Sequence, residues 1–217
     1  MGEAAIKFSL TASGQSESLE GAVCISATEA MAAFKLPAVI KRLHAQEPGI
    51  EIEIIASNST GDLKRREADI AIRAFRPTQP DLIARKIGDL RLHLYATRQY
   101  LDDLRDNDGV LDFSRAQVLG FDRTSLFIDG LNERGLSLTG HNFSVFTENH
   151  LMHWEMVKQG LGIGVMAEDI GDHEPLVVRA VEHFNPFHIE TWLVAHRELK
   201  TGKRMRTVFE FLANELS

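Results

Sequence analysis

The chain has 217 residues, 44% of them hydrophobic and 25% charged, and a formal net charge of −7. A chain of this length buries a core without staples, and its acidic balance excludes a nucleic-acid surface spread over the whole molecule, because phosphate binding needs clustered Lys and Arg. The single cysteine, Cys24, excludes an intrachain disulfide, and no apolar run has the length of a membrane span.

Residues 1–18 read as a linker remnant or tail, with Ser13-Gly14-Gln15-Ser16-Glu17-Ser18 of flexible linker composition. Gly21–Ser26 is a short apolar strand holding Cys24 as a core thiol. Thr28 stands at a helix N-cap position, ahead of an apolar-periodic run through Met31, Phe34, Ile40 and Leu43. Pro37 lies inside that run and predicts a kink or a first-turn break. Glu47-Pro48-Gly49 ends it. Ile50, Ile52 and Ile54 alternate with Glu51 and Glu53, a half-exposed strand. Asn58-Ser59-Thr60-Gly61 then caps a short helix over Asp62–Glu67, and Ala68–Arg73 is a strand buried apart from its charged ends. This alternation of strand and helix implies a parallel sheet with helices on its faces.

Asp81–Arg85 and Leu90–Ala96 follow as strands and Gln99–Leu104 as a short helix. Val118–Phe121 reads as strand, Leu126–Arg134 as mostly helix, Phe143–Phe146 as strand and His150–Gln159 as helix. Gly160–Met166 is a turn and strand, and Ala167–Gly171 a short helical segment. Strands Leu176–Arg179 and Thr191–His196 and an amphipathic helix, Lys203–Leu216, complete the chain.

Several stretches, in order, resemble the effector-binding domain of bacterial LysR-type transcriptional regulators. They are Leu19-Glu20-Gly21, Ile25-Ser26-Ala27-Thr28 leading to Leu36-Pro37, Glu47-Pro48-Gly49-Ile50-Glu51-Ile52-Glu53 and Asn58-Ser59-Thr60. Arg66-Glu67-Ala68-Asp69-Ile70-Ala71-Ile72-Arg73 is the most specific block, with Arg76-Pro77 behind it. Tyr95-Ala96, Tyr100-Leu101 and Gly160-Leu161-Gly162-Ile163-Gly164 follow. The resemblance implies an α/β fold of the periplasmic-binding-protein-like type 2 class, with two Rossmann-like lobes joined by two crossing strands. It places lobe I at 19–94 plus 192–217 and lobe II at 95–191, with the crossings near Leu92–Ala96 and Trp192–His196. It also implies a small-molecule effector, and a homodimer that becomes a tetramer in a full-length parent. That parent would reach promoter DNA only through an N-terminal winged helix-turn-helix, for which residues 1–18 leave no room.

Strand-to-helix junctions of a parallel sheet are natural ligand sites, because helix starts present unpaired N–H groups and a partial positive charge. Thr28 and Asn58-Ser59-Thr60 occupy two such junctions, where the family has its effector cleft, although each hydroxyl can equally cap its own helix. Arg73 ends a strand at the same sheet edge and suits a carboxylate; an ion pair with Asp69 or Glu67 is the other reading. Phe121, Asp122, Glu148 and Asn149 are the candidates from the second lobe, with capping alone an alternative for Glu148 and Asn149. Phe75 and Trp192 line a cleft or pack in the core. The effector is expected to be a small carboxylate or other polar metabolite. The resemblance also pairs the first long helix (Met31, Phe34, Lys35, Ile40) with a partner's surface near Leu126 and Gly130.

No cofactor is expected. Gly160-Leu161-Gly162-Ile163-Gly164 has a helix before it and a strand after, the reverse of a dinucleotide loop. No hydrolase elbow, zinc-protease or phosphate-binding lysine motif is present, so an enzyme is not expected. His150 and His153 share a helix face, but no Cys or carboxylate set completes a metal site. A solute-binding transport protein has the same expected fold and is the alternative function. The N-terminus carries no secretory signal pattern and the cysteine usage suits a reducing compartment, so the expected location is the cytoplasm.

Overall fold

A computed structural model describes residues 19–58, 68–197 and 202–217. The expected tail 1–18 and the expected helix Asp62–Glu67 lie outside these. The chain forms two compact units, one running to Asp89 and including Glu190–Ser217, the other Leu90–Ile189.

In the first unit, β1 (Gly21–Ala27) pairs in parallel with β2 (Ile50–Ala56) along its whole length, from Gly21↔Ile50 to Ala27↔Ala56. It pairs in parallel with β3 (Ile70–Arg73) on its other side. Val23, Ile25 and Ala27 are fully buried, the period-2 face that fixes this register. Cys24 is only half-buried. The apolar-periodic run divides into helices α1 (Glu29–Phe34) and α2 (Leu36–Gln46), so that of the two readings of Pro37 the first-turn break holds and the kink does not. The break falls at Lys35, with Pro37 in the first turn of α2, where its missing N–H costs nothing. Helix α2 buries Leu36, Val39 and Leu43. The last helix of the chain buries Met205, Val208, Phe209, Leu212 and Ala213. Two ion pairs also hold it in this unit, Arg42–Glu215 and Arg85–Glu210.

The two strands expected over 81–96 are one, β4 (Leu82–Ala96). Lys86–Asp89 stays extended because Gly88 takes a φ of 154°, which few side chains permit. In the second unit β4 leads into α3 (Arg98–Leu104), α4 (Leu126–Asn132) and α5 (His150–Lys158). Next come β5 (Gly164–Ala167), the short α6 (Glu168–Gly171) and β6 (Val178–Arg179). Strands β5 and β6 both pair antiparallel with β4. Strand β7 (Phe187–His196) begins four residues before the expected Thr191 and returns the chain to the first unit, antiparallel to β3. Helix α7 (Lys203–Glu215) ends the fold.

The strands expected at Val118–Phe121 and Phe143–Phe146 survive only as bridges, Val118↔Ile163 and Gly120↔Phe146. The segment is extended, but its N–H groups alternate between neighbours. Val118 donates to Asn142 O, Leu119 to Ile163 O and Gly120 to Val145 O. The buried Asn142 amide also donates to Phe113 O and Ala116 O. Around this seam lies the core of the second unit, including Leu94, Leu101, Val118, Leu131, Phe143, Ile163 and Phe184. Tyr95 meets Trp154 edge-on at 5.8 Å.

Candidate effector-binding groups

At the carboxyl ends of β1 and β2, the two predicted junctions are joined. Thr28 Oγ1 accepts from Met31 N at 3.3 Å, capping its own helix. Asn58 crosses to the same helix start: its Oδ1 accepts from Glu29 N at 3.2 Å and its Nδ2 donates to Glu29 Oε2 at 3.1 Å. Two N–H groups of the first turn of α1 are therefore satisfied from within the protein. A ligand arriving here competes with Asn58, and an anion also meets the Glu29 carboxylate. Ser59 and Thr60 lie outside the described residues.

Arg73 corrects the sequence reading of β3 as exposed at its charged ends. Arg73 is only 5% exposed, and its guanidinium donates to Ser26 Oγ at 3.0 Å and to Ile72 O at 3.2 Å. Burial of this charge is tolerable because the fork is hydrogen-bonded. Of the two ion-pair partners suggested by sequence, Asp69 instead accepts from the Cys24 N–H at 2.9 Å, and Glu67 lies outside the described residues. Phe75 is 47% exposed and so is not core. Trp192 is half-buried; its indole N–H donates to Glu190 Oε2 and Arg76 lies 5.4 Å over its ring.

In the second unit, Phe121 stacks flat on His153, with centroids 4.5 Å apart, and meets Phe127 and His150 edge-on. Asp122 Oδ1 accepts from both Thr124 N (2.8 Å) and Thr124 Oγ1 (2.6 Å). The Thr124 hydroxyl and then its N–H hold the Asp122 carboxyl below its ordinary range, so it stays charged. Asn149 caps α5, accepting from Met152 N at 2.7 Å, and Glu148 beside it is exposed.

Sequence reasoning missed a recess of about 240 Å³ next to Asp122, lined by Gly120, Arg123, Thr124, Phe127, Ile128, Gly140, Phe143 and Phe146. Its aromatic residues look like ordinary core positions in sequence. In sequence His153 shows only as one of a histidine pair on a helix face. It is buried, and its Nε2 accepts from Val165 N at 3.2 Å. Burial, then the neighbouring His150, lowers its pKa to about 4, so it is neutral. Among the described residues no group of three or more His, Cys, Asp or Glu could hold a metal ion, and no helix is long and apolar enough to cross a membrane.

Of the expected dimer-contact residues, Phe34 and Leu126 are exposed, Leu126 by 77%. Lys35 and Ile40 are half-buried. Met31 is a core residue at 8% exposure and presents no surface, because the start of α1 turns it inward beneath the Thr28 cap. Gly130 faces Phe187 within its own unit, where an added Cβ would stand 3.0 Å from the ring.

These features define an α/β small-molecule-binding domain of the periplasmic-binding-protein-like type 2 class, with capped helix starts at its strand ends. The family model described as the LysR substrate binding domain matches residues 16–217, and the chain belongs to that family. It is thus a ligand-sensing, effector-binding domain of LysR type and not a transport protein.

The chain is similar to the regulatory domain of CrgA, a LysR-type transcriptional regulator from Neisseria meningitidis. That similarity has 19% identity, 91% of this chain, 100% of that one and a TM-score of 0.74. The AmpR effector binding domain from Citrobacter freundii gives 15% identity, 91% and 98% coverage, and a TM-score of 0.74. An HTH-type transcriptional regulator of Xanthomonas campestris pv. campestris (strain 8004) is 34% identical over 64 residues, 30% of this chain. That match spans 19% of the relative's length.

Proposed function

We propose that this domain senses a small carboxylate or other polar metabolite through strand-end groups of both units. Thr28, Asn58, Ser59, Thr60 and Arg73 act in the first, with Phe75 and Trp192 as apolar neighbours. Phe121, Asp122, Glu148 and Asn149 act in the second. The observation that carries this reading is the 3.2 Å bond from Glu29 N to Asn58 Oδ1, which brings two strand ends to one helix start. Arg73 acts from beneath, fixing Ser26 on the strand that leads to Thr28. Bound effector shifts the population of domain conformations and so the geometry of a homodimer, or of a tetramer in a longer parent. Exposed Phe34 and Leu126 supply apolar contact for the partner. Promoter DNA is contacted in the cytoplasm by an N-terminal helix-turn-helix domain of the longer parent; similarity to an HTH-type transcriptional regulator of Xanthomonas supports the helix-turn-helix part of this reading.

A thermal-shift screen of small carboxylates and polar metabolites tests the reading, since a ligand of the folded state raises its apparent stability. For a ligand so found, Thr28→Ala weakens binding at least tenfold by calorimetry while the fold survives, because losing one N-cap costs about 1 kcal/mol. Unchanged affinity in that variant refutes the assignment.

A further inference from the structure

The recess beside Asp122 has an apolar floor and two opposite charges at its wall. Phe127, Ile128, Phe143 and Phe146 form the floor. Gly120 lets Phe146 close in, since a Cβ there would stand 2.6 Å from the Phe146 ring. At about 240 Å³ the space is smaller than the roughly 300–1,000 Å³ of drug-sized sites, which suits one small metabolite.

The charges are held but not spent. Asp122 takes both of its Thr124 hydrogen bonds on Oδ1, leaving Oδ2 without a partner among the described residues. The Arg123 guanidinium lies 4.8 Å over the Phe146 ring and has no carboxylate partner among the described residues. No ion pair joins these two neighbours. A lone anion would be drawn to Arg123 and repelled by Asp122, and a lone cation the reverse. A ligand carrying both charges next to an apolar group satisfies all three features.

We infer that this recess takes an apolar α-amino acid, its side chain against Phe127, Phe143 and Phe146, its carboxylate on Arg123 and its ammonium on Asp122. The inference rests on the effector reading above and narrows its ligand class from small carboxylates and other polar metabolites to zwitterions.

Calorimetric titration of the protein with L-phenylalanine, 3-phenylpropionate (no ammonium) and phenethylamine (no carboxylate) tests it. L-phenylalanine binds, and each analogue binds at least tenfold more weakly. Arg123→Gln, at an exposed loop position that leaves the fold intact, weakens L-phenylalanine at least tenfold and leaves phenethylamine unchanged. Asp122→Asn weakens L-phenylalanine and leaves 3-phenylpropionate unchanged or tighter. Binding of 3-phenylpropionate as tight as that of L-phenylalanine overturns the inference, as does failure of both L-phenylalanine and L-leucine to bind. If a plain carboxylate binds in a Thr28-dependent way that Arg123→Gln does not alter, the effector reading stands and this inference alone fails.

Discussion

His153 should make the domain acid-sensitive by an amount the structure sets. Its ring is buried beneath Phe121, and its Nε2 accepts the Val165 N–H, so the proton of the neutral ring sits on Nδ1. Protonating Nε2 would break that bond and place a charge in an apolar site, so burial, with His150 second, depresses the pKa from 6.5 to about 4. As pH falls below about 6.5 the unfolded chain takes up a proton that the folded chain refuses. Stability therefore drops by up to about 1.4 kcal/mol per pH unit until the folded pKa is reached, a loss of about 3 kcal/mol in all. Urea unfolding of the wild type and of His153→Gln, at steps between about pH 7 and pH 4, measures this. The glutamine oxygen can accept from Val165 without titrating, so the variant's profile should be flatter by about 3 kcal/mol over the window, whatever its stability at neutral pH. His93, whose pKa is lowered by burial and then by Arg179, tilts both profiles alike. Parallel profiles would refute the buried-histidine account.

Other substitutions test the packing directly. Arg73→Leu should cost about 2–4 kcal/mol by thermal or urea unfolding, because it removes the buried bonds to Ser26 Oγ and Ile72 O; Arg73→Lys should not restore the loss, since an ammonium lacks the planar fork. A cost below about 0.5 kcal/mol would show that the guanidinium is not held as described. Gly164→Ala places a Cβ 2.3 Å from Val157 Cγ2 and 2.6 Å from His153 Nε2, and should destabilise by about 1–3 kcal/mol in the same assay. Leu126→Ser should leave stability within about 0.5 kcal/mol while weakening self-association in sedimentation or light-scattering measurements; an unchanged association constant would remove Leu126 from the interface.

Much of the fold was legible because local chemistry and global packing agree. The Thr28 cap, the alternation from Ile50 to Ile54, the position of Pro37 and the apolar stripe of α7 each point to one structure. The departures have local causes. The gap between the strands expected at Asp81–Arg85 and Leu90–Ala96 is spanned through Gly88, which lets β4 continue. The 118–121 segment reads as a strand, yet its short pairing is divided between two neighbours.

The glycine run from Gly160 to Gly164 shows how a motif can be structural throughout. Gly160, at φ 76°, ends α5 with its N–H on Val157 O while Leu161 N reaches Met156 O, a Schellman closure. Gly162 admits the Gln117 carbonyl, which a Cβ would meet at 2.6 Å. Gly164 admits α5 itself.

The candidate site was less legible than the fold because burial, which separates binding from support, depends on partners far along the chain. An arginine ending a strand reads identically in sequence whether it faces a ligand or a neighbouring strand. For Arg73 one partner, Ser26 Oγ, lies 47 residues earlier. Thr28 and Asn58 differ in kind, since their side chains hold the first turn of α1 by bonds longer than 3 Å. A ligand oxygen can replace such a bond at little cost, because one hydrogen bond is exchanged for another. The strand ends can therefore exchange partners above an arginine that is itself buried and bonded to Ser26 and Ile72.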